Sequence, residues 1–298
     1  MTGSPNRRGP ESMDDFRRGD DGPAVPKIIW MLWLQGWDDV SPMVRACRLS
    51  WQRHNADWDI RAIDRQDVIN LVGPTPVPDR FPAALSDVVR ARLLSKFGGV
   101  WVDATTFCMT PLDGWIREAA AAGFFAFDSP GYGRMLSTWF LAAPPCADVT
   151  NKWAEAADRY WADRDAPGEY FWFHRIFAEL YDLDETIRRT WDAVPRVSAD
   201  GPHYFSPYKR NFTGPLTRRA SARLAQVQDP MYKLSNRVDV TRASPDSAYA
   251  YFVDGARRGL TPSAPWGLVD REAMCVRSWA KRTINCARTL KEHLRLAD

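Results

Sequence analysis

The feature that most constrains the fold of this chain is an unbroken apolar run, VPKIIWMLWLQGW, at residues 25–37. Proline and glycine bound the run, and this pattern is typical of a strand buried on both faces of a parallel sheet. Residues 41–55 begin with serine and proline and carry apolar residues at helical spacing, which predicts a helix. Residues 57–64 then alternate as a second strand. A β-α-β start of this kind implies a parallel sheet with a right-handed crossover.

The rest of the chain continues to alternate between helical and strand patterns. We predict helices at residues 84–99, 151–165, 169–184 and 213–227, strands at 100–107 and 123–129, an apolar segment at 138–146, a proline-rich loop at 73–82 and a cationic helix at 271–298. Residues 1–24 are polar and rich in glycine, proline and charge, so they are predicted to be a disordered tail. Because neither a repeat nor a linker follows, residues 25–298 are predicted to form one domain.

The composition argues against several classes of protein. The 40 basic and 37 acidic residues leave a net charge of +3, whereas nucleic-acid binding requires a concentrated basic face. Five scattered cysteines without a CxxC pair indicate neither a zinc site nor a disulfide framework. The sequence contains no apolar run that would span a bilayer and no signal-peptide pattern, so a cytoplasmic location is expected. The 14 tryptophans favour core packing, with stacking on a sugar or base as the alternative.

The segment LLSKFGGVWVDATTF, residues 93–107, points to chemistry. An apolar run ends in Gly98 and Gly99, a short predicted strand follows, and Asp103 stands at its tip. A carboxylate at the C-terminal end of a parallel strand lies where open α/β sheets bind ligands. Transferases that use sugar nucleotides need an acid there, because a divalent cation with oxygen ligands neutralises the departing diphosphate. Capping of the following turn is the alternative role for Asp103.

Four segments carry a resemblance to a known family: VPKIIWMLWLQGW, SWQRHNADWDI, ALSDVVRARLLSKFGGVWVDAT and PMYKLS. Together they resemble the bacterial capsular polysaccharide synthesis glycosyltransferases. That family is similar in turn to the wider sugar transferases with a DxD motif, including Golgi α-mannosyl- and α-galactosyltransferases and the glucosylating bacterial toxins. The resemblance implies an α/β fold of the GT-A type. This is a single Rossmann-like domain with a mostly parallel central sheet flanked by helices, and it binds a nucleotide-sugar at the strand ends.

The resemblance also implies roles for individual residues. Trp33 matches a tryptophan that stacks on the nucleobase, and Asp87 with Arg90 matches a pair that grips the donor sugar and its phosphates. Asp103 matches the first aspartate of the DxD motif, and Thr105 stands where the wider group has the second, as it does in the capsular members. The implied cofactor is Mn²⁺ or Mg²⁺, held by Asp103, the diphosphate, water and a C-terminal loop.

Three weaker matches lie further along the chain. Ser278 and Trp279 resemble a Ser-Trp pair near the diphosphate in the wider group, although the preceding histidine is missing. TGPLT at residues 213–217 resembles a loop of the Golgi members. Lys233 in PMYKLS is a candidate to neutralise phosphate charge as a point cation.

Ordinary structural roles compete with several of these assignments. Core packing is the preferred role for Trp30 but not for Trp33. Without the resemblance, Asp87 and Arg90 would be interpreted as a helix-surface pair that contributes only about a few tenths of a kcal/mol.

The remaining candidates are three residues for the acceptor side of the site and two histidines without an assigned role. His174 inside FWFHRIF is more often a core histidine than a base, but it and Glu169 remain candidates for the acceptor side, as does Asp128. His54 and His203 are expected in loops.

The resemblance implies transfer of a hexose from a nucleoside-diphosphate sugar to a hydroxyl of a glycan, lipid-linked or small-molecule acceptor, with retention of anomeric configuration. No clear catalytic base is evident, which fits a retaining reaction and equally an inverting one. The alternative function is a scaffold that binds a nucleotide-sugar or glycan without transferring it. A glycosidase is disfavoured because no two acids stand out as acid and nucleophile. Peripheral membrane contact through the cationic C-terminal segment stays open beside a solvated helix surface.

Overall fold

A five-stranded sheet with helices packed against it organises the chain. The structure is a computed structural model, and it describes residues 24–131, 133–206 and 212–258. The predicted C-terminal helix, with Ser278 and Trp279, and most of the predicted tail lie outside the described residues. The helices and strands of the described part are, in chain order, β1 Ile28–Leu32, α1 Pro42–His54, β2 Asp59–Ile63, α2 Arg65–Val72, α3 Pro82–Phe97, β3 Gly99–Val102, β4 Thr106–Cys108, α4 Ile116–Ala119, β5 Phe125–Gly131, β6 Arg134–Ala143, α5 Asp148–Trp161, α6 Trp172–Leu183, α7 Glu185–Ala193, α8 Arg218–Ala225, β7 Met231–Lys233 and α9 Ala248–Arg258.

The main sheet has the strand order β2-β1-β3-β6-β5. Strand β1 pairs in parallel with β2 and β3, whereas β6 pairs antiparallel with both β3 and β5. Four strands of this sheet therefore point in one direction and β6 points in the other, so the predicted mostly parallel sheet is confirmed. The finer assignment to the GT-A type stays a prediction.

The predicted β-α-β start is confirmed, and its helix has the expected N-terminus. The Ser41 side chain accepts a hydrogen bond from the Val44 N–H at 3.3 Å, and Pro42 occupies the first turn, where no intrahelical N–H partner is needed. Four helices, α2, α4, α7 and α9, were not predicted. The first begins at a capping box, in which the Asp64 side chain and the Asp67 side chain each accept from the other residue's backbone.

The strand predicted at residues 100–107 is wrong as a single element. Strand β3 ends at Val102, and the chain turns through Asp103 to Thr105, with the Thr106 N–H donating to the Asp103 carbonyl at 2.9 Å. Strand β4 then pairs antiparallel with β7 in a separate two-stranded sheet. The sequence pattern could not reveal this break, because residues on both sides of it suit a strand equally well.

Gly98 and Gly99 allow α3 to end directly against the sheet. Both have positive φ, +63° and +95°. A Cβ on Gly99 would lie 2.6 Å from the Ile28 carbonyl oxygen, and one on Gly98 would lie 2.5 Å from the Pro145 nitrogen. Only glycine combines this backbone conformation with so close an approach. The Gly98 carbonyl also accepts from the Trp30 indole N–H at 2.9 Å, which confirms the core role predicted for Trp30.

Two large apolar clusters hold most of the described part together. The larger one surrounds the main sheet and is rich in aromatic rings, including the fully buried Trp101, Trp153 and Phe140. The smaller one lies around the two-stranded sheet and includes Phe107, Tyr232 and Phe252. Because β4 contributes to the second cluster directly after β3 has contributed to the first, the turn at Asp103 is anchored on both sides. Within the described residues, no helix has the length and apolarity needed to cross a bilayer.

Candidate active site

Trp33 and Asp103 lie at the same edge of the main sheet, each directly after a strand. Strands β1 and β3 are neighbours and parallel, with Trp30 opposite Trp101, so their C-terminal ends coincide. Trp33 packs in a small apolar cluster with Val40, Val44 and Ala104 and is partly exposed. The ends of parallel strands are where open α/β sheets bind ligands. The structure thus brings Trp33 and Asp103 to one edge of the sheet, and their roles toward a ligand stay predictions.

Helix α3 brings Arg90 to this edge, where it bridges two carboxylates. Its guanidinium lies 3.3 Å from Asp87 Oδ1 and 3.3 Å from Asp103 Oδ1. Only 5% of Arg90 is exposed. Asp87 and Asp103 are more accessible, with 16% and 25% of their side chains exposed. The interpretation of Asp87 and Arg90 as a helix-surface pair is therefore wrong, because Arg90 is buried, Asp87 is largely covered and the two share a third charged partner.

The remaining donors of Arg90 also point to protein acceptors. Nη1 donates to the Thr138 carbonyl at 2.7 Å, Nη2 donates to Ser86 Oγ at 3.0 Å, and Nε donates to the Ser86 carbonyl at 3.2 Å. The guanidinium also lies over the Trp101 ring, 5.0 Å from its centroid. With these contacts made, Arg90 holds the two carboxylates in place, and its predicted grip on the donor stays a prediction. The sequence analysis assigned no role to Ser86 or Thr138; the Thr138 carbonyl is a backbone acceptor, and such an acceptor leaves no sequence signal.

Asp103 is held in its ionised form. Burial alone would raise its pKa, but Arg90, Lys233 and the hydrogen bond from the Trp101 indole outweigh burial and lower the pKa below its usual value. That hydrogen bond joins Trp101 Nε1 to Asp103 Oδ1 at 3.1 Å. The backbone N–H of Asp103 donates to the Trp139 carbonyl at 2.9 Å, which continues the pairing of β3 with β6. Asp103 is thus a fixed negative charge at the sheet edge.

Lys233 reaches the same cluster from the second sheet. Strand pairing sets Thr106 opposite Lys233. The Lys233 ammonium donates to Thr105 Oγ1 at 2.6 Å and lies 3.4 Å from Asp103 Oδ2. About a fifth of its side chain, 21%, is exposed. The structure therefore brings four predicted site residues, Asp87, Arg90, Asp103 and Lys233, into one cluster.

Asp87 titrates differently from Asp103. Burial raises its pKa to about 7; the Arg90 guanidinium lowers it and the Asp103 charge raises it, each by less than burial does. Near neutral pH, Asp87 is therefore partly protonated, and two cationic side chains face one fully ionised carboxylate. The cluster carries a small positive charge.

This pKa predicts how stability depends on pH. Between its ordinary pKa of 3.8 and about 7, Asp87 ionises in the unfolded chain but keeps its proton in the folded one. The resulting contribution to stability is complete below the ordinary pKa and is lost as pH rises through about 7, with a slope of up to about 1.4 kcal/mol per pH unit. We expect the free energy of unfolding of the wild type, minus that of Asp87→Asn, to fall by about 2–3 kcal/mol between about pH 5 and 7 in urea titrations.

Subtracting the free energy of unfolding of Asp87→Asn from that of the wild type removes the pH-dependent contributions of other groups. His174, whose pKa is lowered to about 3 mainly by burial, changes stability over the same range in both proteins and cancels. Asp103 titrates below the range because its pKa is lowered. A difference that stays constant from about pH 5 to 7 would contradict the raised pKa of Asp87.

The described residues do not form a preassembled site for a divalent cation. In the described ranges, no three His, Cys, Asp or Glu side chains converge in the way that a metal site requires. Asp103 Oδ1 already faces Arg90, Asp103 Oδ2 faces Lys233, and the Thr105 hydroxyl binds the same ammonium. A metal ion would have to displace that ammonium, because like charges repel strongly at this range. The donor set suits an anion, and the expected metal at Asp103 stays a prediction.

The residues considered for the acceptor side have different environments. Glu169 forms an ion pair with Arg175 at the surface. Asp128 is 2% exposed and accepts from the Ser129 hydroxyl, and β5 is irregular on both sides of it. His174 is neutral at physiological pH because burial and the charges of Arg134 and Arg90 lower its pKa.

Thr217, which lies in a predicted loop motif, has an ordinary structural role, and His203 lies close to the site. Thr217 in the TGPLT segment caps α8, its hydroxyl accepting from the Ala220 N–H at 3.2 Å. The His203 ring lies edge-on to the Trp139 ring, with centroids 5.5 Å apart. Because the Trp139 carbonyl binds the Asp103 backbone, His203 belongs to the surroundings of the site.

Comparison with known proteins places the chain in a family. The family model described as capsular polysaccharide synthesis protein matches residues 14–252. The chain is 27% identical over 159 residues to the O-glycosyltransferase braB of Annulohypoxylon truncatum, which covers 45% of this chain and 38% of that protein. It is 21% identical over 194 residues to the O-glycosyltransferase PaGT of Phomopsis amygdali, and this match covers 54% of this chain and 46% of that protein. The chain thus spans less than half the length of these relatives.

Among solved structures, the PaToxG glycosyltransferase gives a match over 58% of this chain and 79% of that chain, with 15% identity and a TM-score of 0.37. A TM-score this low does not establish a common fold.

Proposed function

The chain belongs to the capsular polysaccharide synthesis protein family, and we propose that it is a glycosyltransferase that moves a sugar from a nucleoside-diphosphate sugar to a hydroxyl acceptor. The observation that carries the proposal is the cluster of Arg90, Asp103 and Lys233 beside Trp33 at the C-terminal edge of parallel strands. The two O-glycosyltransferase relatives support transfer to an oxygen acceptor.

The proposed donor lies along the edge formed by β1 and β3. The partly exposed Trp33 would stack on the nucleobase, since every base offers an aromatic face. Lys233 would approach the diphosphate, and the exposed part of Asp103 would face the same ligand. Arg90 would keep Asp103 and Asp87 in place from beneath, because its own donors are occupied by protein acceptors.

In the proposed reaction, the bond between the anomeric carbon and the diphosphate oxygen breaks, and its electron pair stays on the diphosphate. The acceptor oxygen forms the new bond to the anomeric carbon, and its proton passes to the departing diphosphate. The positive charge of Lys233 stabilises the charge that develops on that group. Because the leaving group takes the proton, this retaining course needs no protein base.

The acceptor would lie on the β6 side of the cluster. Arg90 contacts the Thr138 carbonyl there and also affects the pKa of His174, so both residues lie near the proposed reaction centre. His174 is the best of the predicted acceptor-side residues, because its neutral imidazole can accept a hydrogen bond from a hydroxyl.

The test is release of nucleotide from a panel of UDP-, GDP- and dTDP-sugars incubated with the purified chain, with EDTA or with Mn²⁺. We expect slow hydrolysis of one donor, because water can replace a missing acceptor. Thermal-shift measurements with the same panel separate the two function classes. A donor that stabilises the fold without being hydrolysed, even when candidate hydroxyl acceptors are added, would favour the scaffold. If no donor is hydrolysed and none raises the melting temperature, the proposed function is wrong.

A further inference from the structure

Thr105 and Lys233 form a close pair at a position where the wider DxD group carries an acid. The resemblance aligns Thr105 with the second aspartate of that motif. Here the side chain is a hydroxyl, and the Lys233 ammonium donates to it at 2.6 Å. The two residues are 128 positions apart and are joined by the pairing of β4 with β7. A neutral acceptor and a cation therefore stand together at this point of the site.

The exchange of an acid for a hydroxyl changes what the position can bind. An aspartate at 105 would pair with the ammonium and cancel its charge, whereas a threonine orients the ammonium and leaves its charge intact. Among the described residues, the carboxylate that pairs with Lys233 is then Asp103, which is shared with Arg90. Because 7% of the Arg90 side chain and 21% of the Lys233 side chain are exposed, Lys233 is the cation of this cluster that a ligand can reach.

We infer that the Lys233 ammonium, oriented by Thr105 and Asp103, binds the diphosphate of the donor directly and takes the role that a divalent cation has in DxD transferases. This inference rests on the proposed function. An ammonium has three N–H donors, so Lys233 can keep its bond to Thr105 and still donate to phosphate oxygens. Nucleotide binding by this chain is therefore independent of added metal.

The first experiment measures binding of UDP, GDP and dTDP by calorimetry to the full chain after treatment with a chelator. One of these nucleotides is expected to bind in EDTA with a Kd within about threefold of its Kd in Mn²⁺. Lys233→Met is expected to weaken binding by about tenfold or more in both buffers, since it removes a charge-assisted hydrogen bond. Lys233→Arg, which keeps the charge, should retain more affinity than Lys233→Met.

Lys27→Met is the matched control. Lys27 precedes β1, at the opposite end of the strand from Trp33, and pairs with Asp113 at the surface. Its replacement should leave the Kd unchanged. Circular dichroism of all variants shows whether each one is folded.

A second pair of variants tests the role of Thr105. Thr105→Asp is expected to weaken nucleotide binding in EDTA by about tenfold, because the new carboxylate neutralises Lys233. Thr105→Ser keeps the hydroxyl and should bind as the wild type does. Equal affinity of Thr105→Asp and the wild type in EDTA would overturn the inference.

The outcomes separate the inference from the proposed function. Wild-type binding that requires Mn²⁺, or Lys233→Met that binds as tightly as the wild type, overturns the direct role of Lys233 and leaves the glycosyltransferase proposal standing. Absence of nucleotide and nucleotide-sugar binding in both buffers overturns both.

Discussion

Replacing Arg90 by methionine is expected to lower the free energy of unfolding by about 3–5 kcal/mol. Arg90 is almost fully buried and lies between Asp87 and Asp103, so its removal leaves the two carboxylates without their shared cation. The Thr138 carbonyl and Ser86 Oγ also lose their donor. Methionine fills a similar volume without charge, so the effect measures the lost interactions more than a cavity. Urea unfolding at neutral pH gives the value directly.

Two further variants test whether the loss of stability in Arg90→Met comes from the buried ion pairs. Arg159→Met removes an exposed arginine of α5 that pairs with Glu155, and its effect should stay below about 1 kcal/mol because surface pairs contribute little. The double variant Arg90→Met with Asp87→Asn should recover part of the loss, since one of the two repelling acids is gone. If Arg90→Met costs no more than Arg159→Met, the buried bridge does not stabilise the fold.

Asp103→Asn is expected to lower the rate of donor hydrolysis or transfer by about 10²–10³-fold while the protein stays folded. Asparagine has the same size as aspartate, and its oxygen still accepts from the Trp101 indole. The substitution removes the charge that holds Lys233 at 3.4 Å and Arg90 at 3.3 Å, so the ammonium is no longer fixed toward the diphosphate. The measurement is kcat with the donor that the panel identifies, together with the melting temperature.

Asp113→Asn provides the matched control for Asp103→Asn. Asp113 is also a carboxylate paired with a lysine and a tryptophan indole, but its partners are Lys27 and Trp58, away from the sheet edge. This variant should retain the wild-type rate. A rate for Asp103→Asn within about fivefold of the control would show that the charge of Asp103 does not support the reaction.

The sequence was sufficient for features that depend on neighbouring residues. The cap at Ser41, the glycines that end α3 and the apolar run of β1 are local signals, and the structure agrees with each of them. The position of Asp103 at the end of a strand also followed from the sequence, whereas its location beside Trp33 depends on the pairing of β1 with β3, which the structure shows.

The break between β3 and β4 and the burial of Arg90 did not follow from the sequence. A strand propensity continues through Thr105 to Phe107, and only the competing pairing partners, β6 on one side and β7 on the other, decide where the chain turns. The spacing of Asp87 and Arg90 fits an exposed helix face as well as a buried one. The face of α3 that carries Asp87 and Arg90 is buried because α3 lies beside β6, which supplies the Thr138 carbonyl as an acceptor for Arg90.

By itself, the sequence determined the β-α-β start, the membership of the family and the presence of a lone acid at the end of a strand. The tertiary structure alone decided which charges meet that acid. Lys233 reaches Thr105 across 128 residues of sequence, through the pairing of two three-residue strands that leave only a weak pattern. Electrostatic interaction depends on distance in space and not on separation along the chain, so the positive character of this site is a property of the fold.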